Sequence, residues 1–166
     1  VRSENGFHSV DKSSSTGAYT TRVVLGKGVG HASGVTVNTT AGDSPAIGEF
    51  TQPANTVITA IKIVCITAPI IGTGDIGYEV GTSSSGAQIV AAITDQILDG
   101  GTTVVVGNVV GCTLVATTES TTTAPVSAQY TASERTIYCN ITNTVDATTA
   151  GSFTFIIEYV PIASLS

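Results

Sequence analysis

The sequence predicts an all-β fold, a sandwich or barrel of short antiparallel strands, and three observations point to it. Of its 166 residues, 28 are threonine, 18 glycine and 16 serine, with no tryptophan; threonine and valine favour pleated, half-buried surfaces. Short apolar runs succeed one another along the chain, separated by turn-forming sequence every dozen or so residues. The last two runs alternate apolar and polar residues, which is the period of a strand with one buried face.

Residues 1–18 are polar and serine-rich without periodicity, and read as an arm ahead of a single domain over 19–166. Strands are expected at 19–26, 34–40, 47–52, 56–67, 75–82, 87–94, 102–110, 112–119, 135–142 and 152–160. Between them lie turn sequences: GDSP at 42–45, GTGD at 72–75, TSSSG at 82–86, LDGG at 98–101 and TNTVDATTAG at 142–151. The glycines of LGKGVGH (25–31) fit neither nucleotide-loop spacing and precede no helix, so the segment reads as a flexible link between strands.

The run TVITAIKIVCIT (56–67) is apolar on both sides of its pleat. By strict alternation Val57, Ile61, Ile63 and Cys65 share one side, and Ile58, Ala60, Val64 and Ile66 the other, with Lys62 the only charge. One side enters the core. The second needs a cover of its own: another copy of the chain, a neighbouring protein in an assembly, or a loop or arm of the same chain.

Residues 87–99, AQIVAAITDQILD, place Ile89, Ile93 and Ile97 at helical spacing, and Gly100 would suit a helix end. The β-rich flanks favour a strand followed by a turn. The Thr/Ser/Pro-rich stretch 118–131 has little to bury and reads as a long surface loop. In RTIYCNIT (135–142), Ile137, Cys139 and Ile141 point inward; in SFTFIIEYV (152–160), Phe153, Phe155, Ile157 and Tyr159 do.

Composition argues against several functions. The net charge is −6 and the six basic residues are scattered, which makes no footprint for nucleic acid. No run approaches the ~20 apolar residues of a membrane helix. The N-terminal residues contain no apolar signal core, and a chain starting at Val suggests removal of an initiator methionine and synthesis in the cytoplasm. Cys65, Cys112 and Cys139 are far apart, lack metal-ligand spacing, and suit reduced positions in a core.

Catalytic signatures are equally sparse. His8 lies in the polar leader and His31 in the glycine-rich segment, neither beside a nucleophile motif. Asp75 with Glu79, and Asp95 with Asp99, are carboxylate pairs that acid–base chemistry or calcium would use, but strand-opening and Asp-Gly turn positions also explain them. Asn38 and Asn140 match the glycosylation pattern, which carries little weight without an export signal. The expectation is a protein with no catalytic residues, no cofactor and no metal.

Residues 52–92, QPANTVITAIKIVCITAPIIGTGDIGYEVGTSSSGAQIVAA, resemble a layout found in virion proteins of tailed phages. Pro53, Ala54, Val57, Ile58, Thr59 and Ile61 match its first block; Asp75, Ile76, Val80, Gly81 and Thr82 match its second. Residues 135–162 are similar to the family's closing pair, a strand, a T-x-x-x-A-G turn and a strand ending in E-Y-V. Gln52 departs from the pattern, where leucine is commoner before the proline.

The resemblance implies a jelly-roll-like antiparallel β-sandwich with a flexible polar N-terminal arm, in a capsid decoration or cement protein of the cyanophage and marine-phage kind. Such proteins are commonly trimers seated on the outside of the head, against the major capsid protein. It carries over no catalytic residue. The expected interface is Ile58, Ala60, Lys62, Val64 and Ile66, and the expected capsid-contacting arm residues are Arg2, Glu4, Phe7 and His8. The chief alternative is a tail or fibre module that binds host surface glycans or another tail protein; glycan binding would need aromatics exposed and clustered at one end of the sandwich.

Overall fold

The structure, a computed structural model, describes residues 8–12, 19–23, 28–37, 47–71, 74–98, 104–115, 128–144 and 146–162. Every regular element among them is a strand: β1 (His8–Lys12), β2 (Tyr19–Val23), β3 (Gly28–Thr36), β4 (Gly48–Gln52), β5 (Thr56–Thr67), β6 (Ile70–Ile71), β7 (Ile76–Gly81), β8 (Val90–Leu98), β9 (Val109–Cys112), β10 (Tyr130–Thr131), β11 (Arg135–Asn143), β12 (Ala147–Thr149) and β13 (Ser152–Pro161). Two antiparallel sheets form the sandwich expected. One has the order β10-β5-β13-β3, with β9 also paired to β5; the other runs β4-β11-β7-β8. β1 pairs with β2, and β6 with β12, as separate two-stranded ribbons. His8–Lys12 therefore forms a hairpin strand where the sequence suggested only an aperiodic arm.

The core lies between the two sheets, and alternation puts it there. β13 sends Phe153, Phe155 and Ile157 inward, β11 sends Ile137, Cys139 and Ile141, and β7 sends Ile76, Tyr78 and Val80, all at 1% exposure or less. The run 90–98 is a strand, not a helix, although it reaches Leu98 rather than ending at 94. Of the expected strands at 102–110 and 112–119, residues 102–103 and 116–119 lie outside the described residues, and among the rest the strand is Val109–Cys112. Gly107 explains the late start. Its φ of +86° ends the extended run, Asn108 N–H donates to Val105 O (3.1 Å), and Gly107 N–H donates to Cys65 O (2.9 Å), so a tight turn is pinned to β5.

The glycine-rich segment is the clearest reversal. Gly28 and Gly30 are not a flexible link; they belong to β3, paired with Tyr159 and Ile157 of β13. Phe50 from β4 lies over Gly30, so close that a Cβ there would sit 1.9 Å from its ring, and Phe50 meets Tyr159 at a ring separation of 5.7 Å. The missing side chains make room for an aromatic pair that closes this edge of the sandwich. Gly30→Ala is expected to cost about 1–3 kcal/mol through overpacking. In a double-mutant cycle read by urea unfolding, Phe50→Ala should cost clearly less in the Gly30→Ala background than in the parent; equal costs would refute the contact.

The three cysteines are free, with Cys65 and Cys139 buried. The Cys112 thiol and Tyr78 hydroxyl share a hydrogen bond across the two sheets. Burial pushes Cys112 up from 9.0 to about 12 and Tyr78 up from 10.0 to about 12, with the Cys112 neighbour adding to the latter; burial also raises Cys65 and Cys139. Groups whose folded pKa is raised stabilise the fold fully below their ordinary values and lose that contribution as pH climbs to the folded value. The urea midpoint is therefore expected to be insensitive to these groups up to pH 9 and to fall between pH 9 and about 12. A flat profile over that window would contradict their burial.

Candidate interaction face

The register of the strands in the five-stranded sheet sets out its outward surface row by row. Val29 of β3, Glu158 of β13 and Ala60 of β5 form one row; His31, Ile156, Lys62 and Gly111 form the next; Thr154, Val64 and Val109 form the third. Ile66 lies beyond them near the end of β5. The surface is mostly apolar and open: Val29 is 52% exposed, Ile66 51% and Val109 59%.

Lys62 Nζ and Glu158 Oε1 are 3.3 Å apart in the middle of these rows, a diagonal cross-strand ion pair. The lysine is half in water and the carboxylate largely covered, so the pair itself contributes about 0–1 kcal/mol. Its effect is on the surface: among these positions the two charges cancel, leaving an apolar field with a neutralised centre.

Four of the five expected interface residues, Ala60, Lys62, Val64 and Ile66, are on this face. Ile58 is not. It is 1% exposed and part of the core, because β5 does not alternate strictly. Tyr159 pairs with Ile58 and Glu158 with Ala60, so Thr59 is an extra residue on β5, and Thr59 Oγ1 donates to Glu158 O (3.3 Å). This β-bulge shifts the phase by one. Thr56 and Ile58 point inward before it, and Ile61, Ile63 and Cys65 after it, which leaves Val57 half-buried rather than in the core set. A second irregularity, between Ser152 and Phe153, leaves Ile66 without a partner on β13.

Of the arm residues, Arg2, Glu4 and Phe7 lie outside the described residues, and His8 opens β1. Ile156, Val29 and Val109 join the face without having been singled out in the sequence. Ile156 was readable, since in FTFIIEYV two adjacent isoleucines must point to opposite sides of a strand. Val29 and Val109 were not, because their membership depends on which strands pair.

The outer side of the other sheet is built differently. Asn140, expected to face water, is 3% exposed beneath the segment after β7; its Nδ2 donates to Glu79 Oε1 (3.0 Å) and Ser84 O (2.7 Å). Gly81 permits this fold-back, since a Cβ there would lie 2.3 Å from the Gly86 backbone. A buried amide bonded in this way is closed to glycosylation in the folded chain. The Asp75 backbone laces this end of the sheet, its N–H donating to Thr144 Oγ1 (3.0 Å) and its O accepting from Thr144 N–H (3.1 Å), while the Glu79 carboxylate is the one that accepts from Asn140. Asp99 lies outside the described residues.

A third arrangement ties down the β4–β5 turn. Gln52, fully buried, donates from Nε2 to Gln129 O (2.8 Å) and Thr56 O (3.1 Å), and its Oε1 accepts from Arg135 Nε (2.9 Å). Arg135 also donates to Ala128 O, and burial lowers its pKa. Asn55 in the turn has a φ of +56°, the left-handed region that asparagine tolerates. The P-A-N sequence and the departure at Gln52 thus both have structural roles. The gap between Ile63, Cys65, Val104, Val110 and Phe153 holds no more than about one water.

Comparison with known proteins shows the fold. No protein-family model matches the chain, and no curated protein matches it. Among solved structures, a chain of the cyanophage Pam1 capsid asymmetric unit superposes with a TM-score of 0.50 at 15% identity, covering 91% of this chain and 97% of that one. A chain of the capsid of Ralstonia phage GP4 superposes with a TM-score of 0.51 at 16% identity, covering 86% and 90% respectively.

Proposed function

We propose that this chain is a structural protein of a bacteriophage head, of the decoration or cement type, which binds the outside of the shell and bridges its subunits. The observation that carries the reading is the end-to-end likeness to two chains from phage capsid assemblies, over at least 90% of their own length. The Pro53–Ile61, Asp75–Thr82 and 135–162 sequence patterns point the same way. The work is mechanical rather than catalytic. A rigid sandwich holds the chain's surfaces in fixed positions, its apolar outer face packs within the oligomer, and the major capsid protein is the neighbour on which that oligomer sits. A homotrimer on a local three-fold would repeat each weak contact over the lattice, and repetition supplies avidity.

The glycan-binding alternative is not favoured. Among the residues whose side chains are described, Tyr78, Phe153 and Phe155 are in the core and Tyr130 is the one aromatic with large exposure, so these residues form no exposed aromatic cluster.

The test is reconstitution. Phage heads made without this protein, mixed with the purified chain, are expected to take it into the pellet on sedimentation and to release DNA at a higher temperature. A trimer of 16.7 kDa chains would give about 50 kDa in light scattering, and about 100 kDa where two such trimers pair. Protein that stays in the supernatant while binding host cells would overturn the head assignment in favour of the tail.

A further inference from the structure

We infer that the outer face of the five-stranded sheet is self-complementary, and packs against the same face of a second copy about a two-fold axis through the Lys62–Glu158 pair. The inference rests on charge and register within this face, and stands or falls independently of the capsid reading.

Electrostatics select the occupant. The chain carries a net charge of −6, so two copies repel over most of their surfaces. On this face the register positions hold one cation and one anion, 3.3 Å apart. An axis lying in the contact plane, perpendicular to the line joining the two, sets Lys62 of each copy over Glu158 of the other. Four charges then alternate around a square, and none is buried without an opposite neighbour. A plain apolar partner would strip water from the half-exposed Lys62 and return no new acceptor.

The apolar groups obey the same operation. Val64 and Val109 lie to the Lys62 side of the pair, and Val29 to the Glu158 side. The two-fold brings the first set of each copy onto the second set of the other, so all three exposed or half-exposed valines are covered twice over, as an isologous contact requires. Sheet faces stack about 10 Å apart, a spacing that side chains of this length fill.

The test is the mass in solution, read as a ratio so that any other symmetry of the assembly drops out. Lys62→Glu and Glu158→Lys each place like charges across the two-fold, and each is expected to halve the mass of the parent protein. Mixed one to one, the two variants present opposite charges to each other and should restore it. The double exchange K62E/E158K should behave as the parent. Val109→Asp, remote from the ion pair and on an exposed site, should also halve the mass, and serves if either charge variant fails to fold by circular dichroism. Single variants that keep the parental mass, a mixture that does not associate, or a parent that is monomeric up to about 1 mM would each overturn the inference.

Discussion

Ile58→Asp is expected to abolish the native fold, whereas Ile66→Asp, eight residues along the same strand, should change stability by less than about 0.5 kcal/mol. Strict alternation would place these two side chains on one face and predict similar effects. The bulge at Thr59 separates them: Ile58 is 1% exposed and Ile66 51%. An aspartate at 58 would leave a cavity and an unpaired carboxylate among apolar neighbours, together worth more than about 4–5 kcal/mol, against a total stability of about 5–15 kcal/mol for a typical domain. The readout is soluble yield and the near-ultraviolet circular dichroism of each variant. Folded Ile58→Asp protein would show that β5 alternates without a break.

Gln52→Leu is expected to destabilise by about 2–4 kcal/mol, even though it restores the residue commoner in the phage-like pattern. Leucine would add apolar volume but leave Arg135 Nε without its acceptor and take a donor from Thr56 O and from Gln129 O, the latter keeping the Ile58 N–H. Unsatisfied buried groups cost about 1–3 kcal/mol each, more when one is charged. The loss should be largely recovered in Gln52→Leu/Arg135→Leu, since removing both partners of a buried polar contact is far cheaper than removing one. Urea midpoints of the parent, the two single variants and the double variant measure the coupling. Additive losses would mean that the side chains act separately.

The thiol and glycine predictions are smaller in scale, but they test the same interior. The bridge from Tyr78 to Cys112 spans the two sheets, and the Phe50–Tyr159 pair over Gly30 closes one edge. Neither contact involves residues near each other in the chain, and neither has a sequence signature.

What the sequence by itself determined is what period and turn chemistry control. The all-β class, the bounds of 56–67, the inward residues of β11 and β13, and the dominance of uncharged side chains all follow from alternation and composition, which act within a few residues. The existence of a second apolar face on β5 was legible for the same reason. Only the tertiary structure decided which residues compose it. A single extra residue at Thr59 reverses the phase of a strand, and its presence depends on pairing with β13, nearly a hundred positions away. The same holds for the glycines of β3, which look like a hinge until Phe50 is placed over them. It holds too for Gln52, whose polarity makes sense only once Arg135 and Gln129 arrive from the far end of the chain. Local sequence fixes how a strand can present its side chains, but long-range register decides where each one goes.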